Sequence, residues 1–218
     1  YEISLGLVGS EMCIRDRHNV SRVIARPYHI LDGKPVRISK DRRDYSVEPP
    51  KPTVLNEIIE KGGRVVGIGK IEDIYVKSGI SHAIHTGSNK EGLELTLQAL
   101  NGSLELDKIR IANSQEPPKS ELIFTNLVDT DMLFGHRNDW KGYGKAIEEI
   151  DAFLPQIMEA MTQEDILFIT ADHGCDPTVP GTDHTREQVP LLVYSKSKNF
   201  EPKNLGILPT FAYICLLY

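Results

Sequence analysis

An apolar run that ends in an adjacent acid and imidazole constrains this chain more than any other feature. Ile166-Leu167-Phe168-Ile169 leads through Thr170-Ala171 into Asp172-His173-Gly174-Cys175-Asp176-Pro177. A second Asp-His pair follows in Gly181-Thr182-Asp183-His184-Thr185-Arg186-Glu187. Upstream, the apolar run Ile123 to Val128 is followed by Asp129-Thr130-Asp131 and then His136. A short apolar run bounded by turn residues reads as a buried strand. In an open parallel sheet, ligands collect beyond the carboxyl ends of the strands. Both clusters are therefore expected on one rim of one sheet.

The rest of the chain reads as the framework of that sheet. Val20 to Ala25 predicts a short strand closed by Arg26-Pro27. Pro27 to Ser46 reads as a basic loop, and Val47 to Pro52 as a stiff Pro-rich linker. Thr53 reads as a helix N-cap, with Leu55, Ile58 and Ile59 as the buried stripe and Gly62-Gly63 as the stop. Arg64 to Ile68 reads as a buried strand. Lys90 to Leu100 predicts an amphipathic helix on Leu93, Leu97 and Leu100. Leu104 to Ser120 reads as a polar surface excursion, and Glu121 to Val128 as the next strand. Gly144 to Met161 predicts the longest helix, with Ile147, Ile150, Leu154, Ile157 and Met161 on one face and Pro155 as a kink. Ile166 to Thr170 and Val189 to Tyr194 complete the strands. Helix and strand alternate throughout, which argues for an α/β fold with a mainly parallel sheet flanked by helices.

Composition removes several function classes. The 218 residues carry a formal charge of −6 and a pI of about 5.7. That balance offers no electrostatic footprint for nucleic acid or an anionic membrane. No apolar run approaches the ~20 residues of a membrane helix. Three cysteines, Cys13, Cys175 and Cys215, are too few and scattered for a disulfide framework, so a reducing cytoplasm is the expected compartment.

Asp131, His136, Asp172, His173 and His184 offer two carboxylates and three imidazoles. Mixed Asp/His ligation suits Zn²⁺, Mn²⁺ or Fe²⁺. Five ligands exceed what one ion usually takes, so a pair of ions is expected, and two metals ~3.5–4 Å apart suit phosphoryl transfer. Asp129, Asp139, Asp176 and Asp183 read as loop acids that turn the chain or orient a ligand histidine. Cys175 reads as a bystander. His18, His29, His82 and His85 stand outside any cluster and read as surface or packing residues. Arg22, Arg37 and Lys70 could bind phosphate; for each, a solvated surface charge is the competing reading.

Three stretches resemble the phosphopentomutases, a family of the alkaline phosphatase superfamily. They are Asn126 to Arg137 (NLVDTDMLFGHR), Thr170 to Gly174 (TADHG) and Pro180 to Glu187 (PGTDHTRE), the last being the most specific. The resemblance runs from about Ser21 to about Ala212. It implies a metal-binding α/β core with a smaller α+β cap inserted into it. Residues 18–48 would be the tail of the cap, and 49–212 an incomplete core. Residues 1–17 and 213–218 read as a non-native leader and tail. The implied reaction isomerises ribose (or deoxyribose) 1-phosphate and 5-phosphate through a phosphothreonine enzyme with two Mn²⁺ ions. Asp131, His136 and His184 would hold one ion, and Asp172 and His173 the other. Arg22, Arg37 and Lys70 match substrate-phosphate positions. The first strand of the family, with its further Asp, and the threonine nucleophile have no counterpart in these residues. The chain by itself is therefore expected to be inactive. Two alternatives remain open: another superfamily enzyme, such as a metal-dependent phosphoglycerate mutase or a phosphatase, and a non-catalytic metal- or sugar-phosphate-binding domain.

Overall fold

The computed structural model describes residues 22–31, 33–38, 43–112 and 117–198. The expected leader and tail lie outside these residues. The chain divides into two units, one built on residues up to Lys51 with Asp73–Ser78, the other on Pro52–Glu72 and the residues from Gly79 onward.

The first unit contains two antiparallel pairs. Strand β1 (Arg22–Ala25) pairs with β4 (Arg43–Ser46), Arg22 opposite Ser46. Strand β2 (Tyr28–Leu31) pairs with β3 (Lys34–Arg37), Tyr28 opposite Arg37. The expected basic loop from Pro27 to Ser46 is thus corrected to three short strands. The missed signal was Asp32-Gly33 between two extended runs, a strong hairpin pattern. Gly33 takes φ +74°, a backbone state that glycine adopts without a Cβ penalty.

The second unit holds a three-stranded parallel sheet in the order β6-β5-β7. Its strands are β5 (Arg64–Ile68), β6 (His82–Ile84) and β7 (Glu121–Thr125). In β5, Val65, Val66 and Ile68 are fully buried, the apolar run expected of a strand covered on both faces. Helix α1 (Val54–Glu60) precedes β5 and buries Leu55 completely. Its entry is fixed at Thr53, whose amide N–H (2.8 Å) and hydroxyl (2.9 Å) both donate to Asn56 Oδ1. The four-residue α2 (Ile71–Ile74) follows β5. Helix α3 (Asn89–Leu100) starts at Ser88, whose hydroxyl accepts from Glu91 N at 3.2 Å. Ala99 of α3 joins Val66 and Ile68 in one cluster, against which Ile84, Leu95, Leu104, Leu106 and Ile123 pack. The stretch after Leu104 is therefore not a free surface excursion. Its leucines cover the core, and the N–H groups of Ile111 and Ala112 donate to Ser81 O at the edge of β6.

Helix α4 (Trp140–Ala160) is the longest and begins four residues before the expected Gly144. Asp139 caps it by accepting from Gly142 N at 2.9 Å. Ala146, Ile157 and Met161 are buried, whereas Ile147 is 48% exposed, so the packed stripe sits one residue back at this end. Pro155 lies inside the helix without ending it. Lys196 Nζ donates to the carbonyls of Glu159 (2.8 Å) and Met161 (2.5 Å), filling acceptors that a helix end leaves open.

Strands β8 (Leu167–Thr170) and β9 (Leu191–Tyr194) pair antiparallel as a separate two-stranded sheet, Thr170 opposite Leu191. The mainly parallel sheet is found in β6-β5-β7, and the expectation that both clusters lie on one rim of one sheet is corrected. A parallel pair needs a crossover, usually a helix. Residues 171–190 form turns and bends without one, so the chain returns directly.

Candidate metal centre

Strand β7 delivers the first cluster. Beyond Thr125, Asn126 N still donates to Ile68 O at 2.9 Å, and Val128 and Asp129 are buried. Asp129 is clamped to the start of α3: its Oδ2 accepts from Asn89 N at 2.7 Å, and its own N–H donates to Asn89 Oδ1 at 2.9 Å. A carboxylate at a helix N-terminus is favourably placed. The chain then winds through a π-type turn, Thr130–Phe134, and a 3₁₀ turn, Gly135–Arg137. Such widened turns recur where a side chain must be aimed at a functional site. Asp131 and His136 come from these two turns.

Strand β8 delivers Asp172 and His173, and the long return towards β9 delivers His184. His136 Nε2 and His184 Nε2 lie 3.3 Å and 3.2 Å from Asp131 Oδ1. The candidate ligand atoms of Asp131, His173 and His184 all lie within 4.8 Å of one another. The His173 and His184 rings stack with centroids 3.5 Å apart, and those of His136 and His184 at 5.0 Å. His173 Nε2 is 3.6 Å from Asp172 Oδ1, whose side chain is the most exposed of the five at 50%.

The hydrogen bonds on the far side of two rings fix their tautomers. His136 Nδ1 is 2.5 Å from the carbonyl of Thr182, and His173 Nδ1 is 3.1 Å from the carbonyl of Gly174. A carbonyl only accepts, so each Nδ1 carries the hydrogen. In the neutral ring, each Nε2 then turns a lone pair towards a carboxylate. Asp131 Oδ1 is fully buried and accepts no hydrogen bond. Lone pair facing lone pair is repulsive unless a cation lies between them. Nδ1–H held by a carbonyl and Nε2 offered inward is the common posture of a metal-ligating histidine. The residues present therefore fit a divalent cation.

The loops support one another. Gly174 and Thr185 form an antiparallel bridge, with Thr185 N donating to Gly174 O at 3.2 Å. Thr185 Oγ1 accepts from Asp176 N at 2.6 Å. A Cβ on Gly174 would lie 2.7 Å from a Glu187 carboxylate oxygen and 2.8 Å from the Glu187 amide nitrogen, so the close approach excludes a side chain there. Thr178 donates from its hydroxyl (2.6 Å) and its N–H (2.8 Å) to Asp176 Oδ1, which holds that carboxyl below the usual range. Burial pushes the Cys175 thiol up, and the charges of Asp131, Glu187 and Asp176 push it further. Tyr143, in the first turn of α4, is raised by burial and then by the charges of Cys175, Asp131, Asp176 and Glu187. Tyr143 and Glu187 were not singled out from the sequence. Glu187 closes the Gly181–Glu187 motif; Tyr143 carried no signal.

Arg22 is half-buried on β1, and Arg37 ends β3. Lys70 is half-buried directly after β5. Gly69 before it takes φ +85°, and a Cβ there would meet Asn126 O at 2.5 Å, so the turn that presents Lys70 needs glycine.

The sequence pattern of the Metalloenzyme superfamily matches residues 38–214. The chain belongs to this superfamily. It is 49% identical over 199 residues to a phosphopentomutase of Caldanaerobacter subterraneus, covering 91% of this chain and 46% of that protein. A phosphopentomutase of Clostridium kluyveri is 48% identical over 190 residues, covering 87% and 44%. One of Anaeromyxobacter is 47% identical over 199 residues, covering 91% and 47%. The chain thus spans about half the length of the curated relatives it matches. The mixed α/β architecture with a parallel sheet flanked by helices agrees with the expected fold class. No helix among the described residues is long and apolar enough to cross a membrane.

Proposed function

We propose that this chain supplies the divalent-metal centre of a phosphopentomutase, the enzyme that interconverts (deoxy)ribose 1-phosphate and 5-phosphate. The observation that carries the reading is the inward-facing set around Asp131. A fully buried carboxylate oxygen without a donor faces two imidazole Nε2 atoms at 3.2–3.3 Å, on a chain 47–49% identical to phosphopentomutases. Asp131, His136 and His184 would bind one ion, and Asp172 and His173 would contribute to a second, with Mn²⁺ as the expected metal. A bound pair of ions would neutralise phosphoryl oxygens and align the attacking and leaving groups.

The chain's own groups do the rest. The Thr182 and Gly174 carbonyls hold the protons of His136 and His173 at Nδ1, which leaves each Nε2 lone pair free to bind a metal. Asp131 presents one buried oxygen to His136 and His184. Arg22, Arg37 and Lys70 are the candidates for gripping the sugar phosphate, since Arg and Lys are the usual partners of phosphate oxygens. The domain reading follows the same lines: residues 18–48 as part of a cap and 49–212 as the metal-binding core. Few cysteines, an acidic pI and a phosphorylated small-molecule substrate favour a cytoplasmic enzyme with no nucleic-acid or membrane partner.

The test is substrate choice. The full reading frame that contains this chain, loaded with Mn²⁺, should turn over ribose 5-phosphate and leave 3-phosphoglycerate untouched. Turnover of 3-phosphoglycerate instead would replace the mutase reading with the phosphoglycerate mutase alternative.

A further inference from the structure

The turn after His136 ends in a residue that the metal reading leaves without a task. Asn138 has φ 55° and ψ 27°, the left-handed conformation, at the C-terminal end of the Gly135–Arg137 turn. Its N–H donates to Gly135 O at 3.1 Å. Glycine meets that backbone requirement at least as well as asparagine. The side chain, however, reaches across to the other metal-bearing loop. Asn138 Nδ2 donates to Val179 O at 2.9 Å and to Pro177 O at 3.3 Å.

That loop, residues 171–190, carries Asp172, His173 and His184 and contains neither helix nor strand. Its bridge between Gly174 and Thr185 is internal, so it holds the loop's shape without fixing its distance from Asp131. Distance is set by bonds that cross between loops. One is His136 Nδ1 to Thr182 O, made by a ligand candidate itself. Among the described residues, two more come from Asn138, whose amide reaches the carbonyls of Val179 and Pro177 rather than a candidate ligand.

We infer that Asn138 is a positioning residue for the metal centre: its amide staples the Pro177–Val179 segment to the Asp131–His136 turns and so sets the spacing between the two ligand groups. The inference rests on the metal reading above. Direct hydrogen-bond partners of metal ligands are typically worth about 10–100-fold in metal affinity, and a staple one segment further out belongs at the low end of that range.

The discriminating substitution is Asn138→Gly, which keeps the left-handed backbone and removes both donors. Two readouts apply to the purified chain. In the metal-free protein, amide hydrogen exchange across residues 176–184 should speed up in Asn138→Gly, while β5 and β7 exchange as in wild type. In a Mn²⁺ titration followed by electron paramagnetic resonance, Asn138→Gly should bind roughly 10-fold more weakly than wild type, with an altered spectrum of the bound ion. Asn138→Asp, similar in size but with an acceptor facing two carbonyls, should weaken binding at least as much. Exchange and affinity unchanged in Asn138→Gly would overturn the staple and assign Asn138 to the turn alone. If wild type binds no Mn²⁺, the metal reading falls and takes this inference with it, which is distinguishable from equal binding by wild type and variant.

Discussion

The three-stranded and two-stranded sheets of the second unit both deliver candidate ligands from the carboxyl end of a strand, yet they are built differently. In β6-β5-β7, Val65, Val66 and Ile68 are fully buried and helices cover the strands. In β8-β9, Phe168 is 58% exposed and Leu192 57%. Asp131 therefore rises from a packed foundation, with Asp129 and Asn89 locking the exit from β7 to the start of α3. Asp172 and His173 rise from a ribbon with little packing of its own. An isolated two-stranded ribbon is marginal in water. The bonds of His136 and Asn138 tie the second loop to the turns that follow β7.

Ile68→Ala should give the largest change in stability. It removes a fully buried side chain from β5, and such truncations cost about 2–5 kcal/mol. Urea unfolding of the chain measures it, and a loss under ~1 kcal/mol would mean the parallel sheet is not the foundation described. Asn89→Ala comes next. It strips Asp129 N of its acceptor in a buried site, which costs about 1–3 kcal/mol. Its effect should appear both in unfolding and in weaker Mn²⁺ binding, because the Asp131 turn loses its anchor.

Phe168→Ala sharpens the contrast from the other side. A side chain more than half exposed has little transfer energy to lose, so unfolding should shift by less than ~1 kcal/mol. A loss equal to that of Ile68→Ala would show that the ribbon is packed after all. The smallest effect belongs to Asp176, whose carboxyl is held below its usual range by the two Thr178 donors. A depressed carboxyl contributes stability above its unfolded pKa and loses it as pH falls through the folded one. The melting temperature should therefore drop slightly less in Asp176→Asn than in wild type when both are taken from pH 7 to strongly acidic pH.

The strand-end acids and histidines were legible because their signal is local: an apolar run, then chemistry-bearing residues in a turn. Helix α3, with Leu93 facing in and Asn101-Gly102 behind it, was legible for the same reason. Other features depend on approach in space. The antiparallel pairing of β9 follows from the lack of a crossover helix between residues 171 and 190. Ile147 faces solvent because contact with its neighbours, not periodicity alone, decides which stripe of α4 is buried. Tyr143, Glu187 and Asn138 matter through what the folded loops place beside them, and a residue two loops away leaves no mark on the sequence. In the sequence, Asp-Gly at 32–33 between two extended runs is a hairpin signal set among basic residues.

The inward-facing carboxylate and imidazoles are proposed to hold a divalent cation. A Mn²⁺ titration of wild type and Asp131→Asn, read by electron paramagnetic resonance, tests it most directly. Wild type should bind saturably, and Asp131→Asn should lose more than the ~10–100-fold attached to outer partners of a metal ligand. Absence of binding by wild type, or equal binding by Asp131→Asn, would contradict it.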